Sequence, residues 1–314
     1  MTKTIQEKIA DLQRKRNAVV LAHNYQKGAV QDLADFTGDS LGLSQQATET
    51  DADVIVFCGV YFMAETAAML NPDKLVLIPE REALCPMAQM IDAEAVRALK
   101  EEHPDAAVVS YVNSTAAVKA LTDVCCTSSN AVDVVSSIEE GREIIFVPDR
   151  NLGHYVQQRT GRKMILGDGY CPTHVKILPE HISELRAQYP DAEVIVHPEC
   201  IPAVVEMADV VASTSGMLRH ARRTSAPVLI VGTEVGLLQR LRQENVDKEF
   251  IPATPLAVCP NMKRITVESV LWALEDLKYE VTVPEEIAAP ARQAVSRMLE
   301  IPPSGQRKAA KLSS

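Results

Sequence analysis

Residues 19–40 read VVLAHNYQKGAVQDLADFTGDS: an apolar run ending at His23, a polar stretch, then Asp35 and, five residues on, Ser40. The outline returns at 108–128 as VVSYVNSTAAVKALTDVCCTS and at 194–214 as VIVHPECIPAVVEMADVVAST. His23, Tyr111 and His197 lie 88 and 86 residues apart. The same two intervals separate Asp35, Asp123 and Asp209, and again Ser40, Ser128 and Thr214. A fourth landmark, Cys-Pro, recurs at Cys85, Cys171 and Cys259 with intervals of 86 and 88. Any βα unit has an apolar strand, a polar loop and a helix, but unrelated units do not keep four kinds of landmark in register. The chain reads as one unit built three times.

Within the first unit, helical spacing at 4–13, 29–36 and 62–70 alternates with Val- and Ile-rich runs at 18–22, 52–57 and 74–78. The third unit runs alike, with strands at 192–196 and 226–231 and helices at 204–209 and 235–242. Strands apolar on both faces are buried parallel strands flanked by helices. The expected fold is therefore α/β, with three similar αβα sandwiches arranged with pseudo-threefold symmetry around a central site. Boundaries follow from the landmarks: 1–85, 86–171 and 172–259 for the three units. Residues 260–314 form a C-terminal helical extension, with an amphipathic helix at 266–277 and a frayed tail at 303–314.

Composition narrows the function. A net charge of −10 and the lack of a basic stripe interleaved with aromatics make nucleic acid a poor partner. The apolar runs are too short to span a bilayer and the N-terminus lacks a signal-peptide core, so a cytoplasmic protein without a membrane partner is expected. Seven cysteines without an export signal argue against a disulfide framework. No GxGxxG, GxxxxGK[ST] or GxSxG pattern is present, which disfavours a dinucleotide- or ATP-dependent enzyme.

Ligands of open parallel sheets bind beyond the carboxyl ends of the strands. His23, Tyr111 and His197 end their strands there, followed within two residues by Asn24, Tyr25, Asn113 and Glu199. Ser40, Ser128 and Thr214 precede helix-like segments, where they can cap the helix or offer hydroxyls to an anion. Cys58, Cys125, Cys126 and Cys200 have no counterparts in the other units and read as buried apolar thiols. Cys85, Cys171 and Cys259 share the repeat position, so three units closed around one axis bring their thiolates to one point. Three thiolates without an obvious fourth ligand suit either a [4Fe–4S] cluster with one open iron or a zinc ion with one open position. Spacing alone does not separate these; the absence of local CxxC patterns favours the cluster.

The segments AHNYQ, DLADFTGDSL, VYFMAETAAMLNP, SYVNS, PDRNLGHYV, GYCPTH, VHPEC, STSGM and CPNMKRIT resemble those of the quinolinate synthase family, over residues 20 to 267. The resemblance implies three α/β domains around a [4Fe–4S] cluster held by Cys85, Cys171 and Cys259. It implies the condensation of iminosuccinate (iminoaspartate) with dihydroxyacetone phosphate to quinolinate in NAD biosynthesis, with the open iron as Lewis acid. It places His23, Ser40, Tyr111, Asn113, Ser128, His174, His197, Glu199 and Thr214 in the substrate pocket, with His174 near the cluster. Proton transfer falls to Tyr25, Tyr111, His197 and Glu199, and L-aspartate oxidase would supply the iminosuccinate. The CxxCxxC segment of some members is reduced here to Cys259, so a disulfide switch there is unsupported. Rival readings are another three-domain iron–sulfur enzyme, akin to the isoprenoid-pathway reductase or the diphthamide-synthesis enzyme, or a non-catalytic iron–sulfur sensor.

Overall fold

The computed structural model describes residues 3–304, so the expected tail lies outside the described residues from 305 onward. Twelve strands form three four-stranded sheets among these residues. The first holds β1 (Ala18–His23), β2 (Phe36–Gly38), β3 (Val54–Cys58) and β4 (Leu75–Leu77). The second holds β5 (Ala107–Tyr111), β6 (Val124–Cys126), β7 (Ile144–Val147) and β8 (Ile165–Leu166). The third holds β9 (Glu193–Val196), β10 (Val210–Val211), β11 (Val228–Gly232) and β12 (Glu249–Pro252). Every pairing within them is parallel, and the orders are β2-β1-β3-β4, β6-β5-β7-β8 and β10-β9-β11-β12. Each unit thus changes winding direction beside its own first strand. That is the switch point where such sheets bind ligands, and His23, Tyr111 and the residue after Val196 lie there.

The first strands show how the layers form. Val20, Val108 and Val194 face three separate apolar clusters, the second and third covered by helices of their own units and the first also by the C-terminal extension. Their neighbours Leu21, Val109 and Ile195 point the other way, into one cluster that draws on all three units. Alternation along a strand therefore gives each sheet an outer face of its own and an inner face shared with the others. Helix Val267–Asp276 covers the outer face of the first sheet through Val270, Leu271 and Leu274. The last helix, Glu285–Leu299, packs Ala288 and Ala291 against Met69 and Ala116, spanning the first and second units.

The repeated aspartate has a structural task. Asp35 accepts the Val20 N–H on its carboxylate at 2.8 Å, and its own N–H donates to the Val20 carbonyl at 3.0 Å. Asp123 makes the same two bonds with Val108, and Asp209 with Val194. This clasp corrects the expected helix ends. The helix expected at 29–36 is Gly28–Leu33, and Phe36 opens β2; the helix expected at 204–209 is Pro202–Val205. In each case the aspartate holds the chain in extended register with the first strand, so the apolar residue after it joins the sheet.

Removing a clasp leaves a strand N–H without its partner. Asp123→Ala is expected to cost about 2 kcal/mol in urea unfolding. Asp123→Asn, which keeps an acceptor oxygen, should cost less than half of that. Equal losses for the two would contradict a hydrogen-bonding role.

Candidate active site

One cavity lies where the three units meet, and residues from all of them line it. His23, Tyr25 and Ser40 come from the first unit, Tyr111, Asn113 and Ser128 from the second, and His174, His197, Glu199 and Thr214 from the third. Cys85, Cys171 and Cys259 line the same cavity. Every residue expected at the site is therefore brought to one place. The remaining cysteines, Cys58, Cys125, Cys126 and Cys200, are fully buried within the apolar clusters, where Cys200 Sγ donates to the Gly232 carbonyl at 3.4 Å.

The two strand-end histidines are held alike. The Tyr25 backbone N–H donates to His23 Nδ1 at 3.1 Å, and the Glu199 N–H to His197 Nδ1 at 3.4 Å. With Nδ1 accepting, the proton of a neutral ring sits on Nε2. His197 Nε2 accordingly lies 3.1 Å from Ser128 Oγ and donates to it. Burial drives both rings toward neutrality, His23 to about 4 and His197 to about 3, despite the opposing pull of nearby carboxylates. Both imidazoles are thus neutral hydrogen-bond donors at pH 7.

A continuous chain of polar groups joins the two tyrosines. Tyr25 Oη lies 2.6 Å from Thr233 Oγ1, which lies 2.9 Å from His174 Nε2. His174 Nδ1 lies 2.7 Å from Glu199 Oε2, and Tyr111 Oη donates to Glu199 Oε1. The His174 ring also stacks on His197, with centroids 4.7 Å apart. Burial pushes the Glu199 carboxyl up, but His174 and the Tyr111 hydroxyl outweigh it and hold the group well below the usual carboxylate range. Both phenols are pushed well above 10, first by burial and then by the Glu199 charge. Glu199 is the ionised member of the chain; the tyrosines keep their protons.

The hydroxyl loops depart from expectation. Ser40 and Thr214 do not cap their helices; they are the first helical residues, and Asp39 and Ser213 accept the capping N–H of Gly42 and Gly216. Helix Ala131–Ser137 begins three residues after Ser128, with Asn130 preceding it. Capping falls one residue earlier because an N-cap side chain reaches the third N–H after it. The hydroxyls of Ser40 and Thr214 are thereby relieved of capping, and they sit at helix starts that favour anions. Ser129 ties the loops together, donating to Asp39 Oδ2 at 2.8 Å and lying 2.7 Å from Ser213 Oγ. Asn113 Oδ1 is buried with no hydrogen-bond partner among the described residues.

Burial pushes the three cavity thiols up, Cys85 to about 12. In each Cys-Pro loop the backbone N–H groups two and three residues onward oppose this: Met87 and Ala88, Thr173 and His174, Asn261 and Met262. Cys171 Sγ also lies 3.1 Å from His174 Nδ1. Cys171, His174 and Glu199 form a group whose ligand atoms all lie within 4.8 Å of one another, and it could hold a metal ion.

Thr233, Glu234, Asp39 and Lys263 escape the sequence reading. Asp39 precedes a landmark serine and Lys263 stands in CPNMK, but Thr233 and Glu234 carry no repeat signal.

Residues 7–300 match the sequence family described as quinolinate synthetase A protein. A quinolinate synthase of Geobacter metallireducens is 54% identical over 299 residues, covering 95% of this chain and 98% of the relative. One from Thermodesulfovibrio yellowstonii is 53% identical over 302 residues, covering 96% and 99%. One from Methanosarcina barkeri is 52% identical over 295 residues, covering 94% and 97%.

The buried histidines set a pH dependence. Their folded-state pKa values of about 4 and about 3 lie below that of free imidazole, so the unfolded chain takes up protons first. The stability they allow is complete above about pH 6.5 and is lost as pH falls through the window down to the folded values. Between pH 7 and pH 5 each should cost about 2 kcal/mol. Urea unfolding of a His23→Gln/His197→Gln variant should show a correspondingly shallower fall than the parent. The same pH dependence in both proteins would contradict the assignment.

Proposed function

The chain belongs to the quinolinate synthetase A family of enzymes, and on that premise we propose that it condenses iminosuccinate with dihydroxyacetone phosphate. Quinolinate, phosphate and two waters are the products, and the reaction serves NAD biosynthesis in the cytoplasm. Among the described residues no helix is long and apolar enough to cross a membrane. L-aspartate oxidase is the proposed supplier of iminosuccinate.

The observation that carries this reading is the convergence of one Cys-Pro loop from each expected unit on the cavity that holds the histidines, tyrosines and Glu199. The donor set fits a [4Fe–4S] cluster. Three buried thiols share the cavity, each opposed in its burial by two backbone N–H groups, an arrangement that favours thiolates once a cation is near. Cys85, Cys171 and Cys259 would hold three irons in a pseudo-threefold setting. When bound, the cluster supplies a Lewis-acidic iron that polarises a substrate oxygen. The Cys171, His174 and Glu199 group offers a second reading, a mononuclear ion such as zinc.

The remaining work falls to the protein. The Nε2–H of His23 donates to a substrate oxygen without adding charge, while that of His197 holds the Ser128 hydroxyl so that its own proton points to substrate. The Ser40, Ser128 and Thr214 hydroxyls and two helix starts receive the carboxylates and phosphate of the anionic substrates. Asn113 Oδ1, unpaired in the cavity wall, is free to accept a hydrogen bond from the iminosuccinate nitrogen. Glu199 accepts a proton from carbon or nitrogen as the ring closes, and Tyr111, bonded to it, returns one to a departing oxygen. Tyr25 serves the triose end, its proton renewed through Thr233 and His174.

Under anaerobic conditions the protein should release quinolinate and phosphate in equal amounts from the two substrates. Tyr25→Phe and Glu199→Gln should each lower kcat by about 100-fold or more, the usual scale of a lost proton-transfer group, with metal content unchanged. Unchanged turnover in either variant removes that residue's role.

A further inference from the structure

Behind Tyr25, three loops of unlike chemistry are joined by a pair of charges that the proton-transfer chain does not use. Glu234 is fully buried. Its Oε1 accepts the backbone N–H of Cys259 at 3.1 Å, and its Oε2 accepts that of Gly236 at 2.7 Å. Lys263 Nζ lies 2.9 Å from Oε1 and 3.0 Å from Oε2, and it also donates to the backbone carbonyl of Tyr25. The two side chains therefore connect the Tyr25 loop, the Thr233–Gly236 loop and the Cys-Pro loop of Cys259.

Gly236 leaves the space for this junction. A Cβ there would lie 2.6 Å from Lys263 Nζ, 2.8 Å from Glu234 Oε2 and 2.9 Å from the Tyr25 carbonyl oxygen. The backbone is ordinary, with φ −61°, so the need for glycine is steric rather than conformational. Charge balance explains why a pair is used. A lone carboxylate bonded to the Cys259 N–H opposes a negative sulfur on the same residue, and the ammonium cancels it while reaching on to Tyr25. Buried ion pairs contribute little net stability against apolar substitutes, but they hold groups at fixed positions, and losing one partner strands the other.

We propose that Lys263 and Glu234 are positioning residues that tie the Tyr25 loop to the Cys259 loop, fixing the phenol relative to that cysteine. The proposal rests on the reading in which Tyr25 acts in turnover and Cys259 holds iron. Lys263 touches no reacting atom; its effect passes through Tyr25 on one side and Cys259 on the other.

The test is a double-mutant cycle in the iron-loaded protein, paired with a measurement independent of turnover. Lys263→Met should lower kcat by roughly tenfold or more, and its cost should nearly vanish in a Tyr25→Phe background, as coupled neighbours do. Iron release to a chelator from the holoprotein should be faster by roughly tenfold in Lys263→Met. Gly236→Ala, which keeps every charge but crowds the junction, should behave likewise and covers the case in which Lys263→Met fails to fold. Equal fractional losses of kcat in both backgrounds, or iron release at the parent rate in the folded variants, would overturn the proposal. If Tyr25→Phe itself leaves turnover unchanged, the role of Tyr25 fails and iron release alone decides the clamp. If the protein carries no iron, that part of the reading fails and the cycle decides.

Discussion

The two-way clasp between Asp35 and Val20, remade by Asp123 on Val108 and Asp209 on Val194, sets the register on which the cavity depends. It pairs the second strand of each unit with the first at a fixed offset. His23, Tyr111 and His197 then leave the sheet beside the loops that bring Ser40, Ser128 and Thr214. A slip of one residue would turn the strand-end side chain to the opposite face. Three such clasps, one per sheet, place polar side chains from distant parts of the chain around one cavity without a long ordered loop.

What fills that cavity is an electrostatic problem, and the protein solves it by neutralising most of its own groups. The chain carries a net charge of −10, and the proposed substrates are anions. Burial keeps His23 and His197 neutral, keeps the tyrosines protonated and raises the cavity thiols. Glu199 stays ionised because His174 stands against it at 2.7 Å. Glu234 is matched by Lys263. In the proposed reaction the anions would be met by neutral N–H and O–H donors and by helix starts, which bind charge without a counter-charge that would have to be desolvated. A cation at the three thiols would offset the remaining negative potential.

Much of this is legible in the sequence because internal repetition exposes it. Positions 23, 111 and 197 agree in polarity and spacing, and the Cys-Pro loops share one register, so these residues are expected to converge once three units close around one axis. The short second strand of the first unit is hidden because Phe36 follows Val30, Leu33 and Ala34 in a helical apolar spacing, and only the clasp of Asp35 to Val20 turns the chain into a strand. Capping at Asp39 and Ser213 rather than Ser40 and Thr214 was hidden for a similar reason: adjacent residues all able to cap give no sequence signal of which one does. Thr233, Glu234 and Lys263 act by contacts between loops, and no spacing in a single unit records such contacts.

The central claim is that Cys85, Cys171 and Cys259 together hold an iron–sulfur centre at the meeting point of the three sheets. Iron and acid-labile sulfide per chain, measured on protein purified without oxygen, test it most directly. About four of each are expected for a [4Fe–4S] centre. Zinc in place of iron, or folded protein never exposed to air that carries no metal, would contradict the claim.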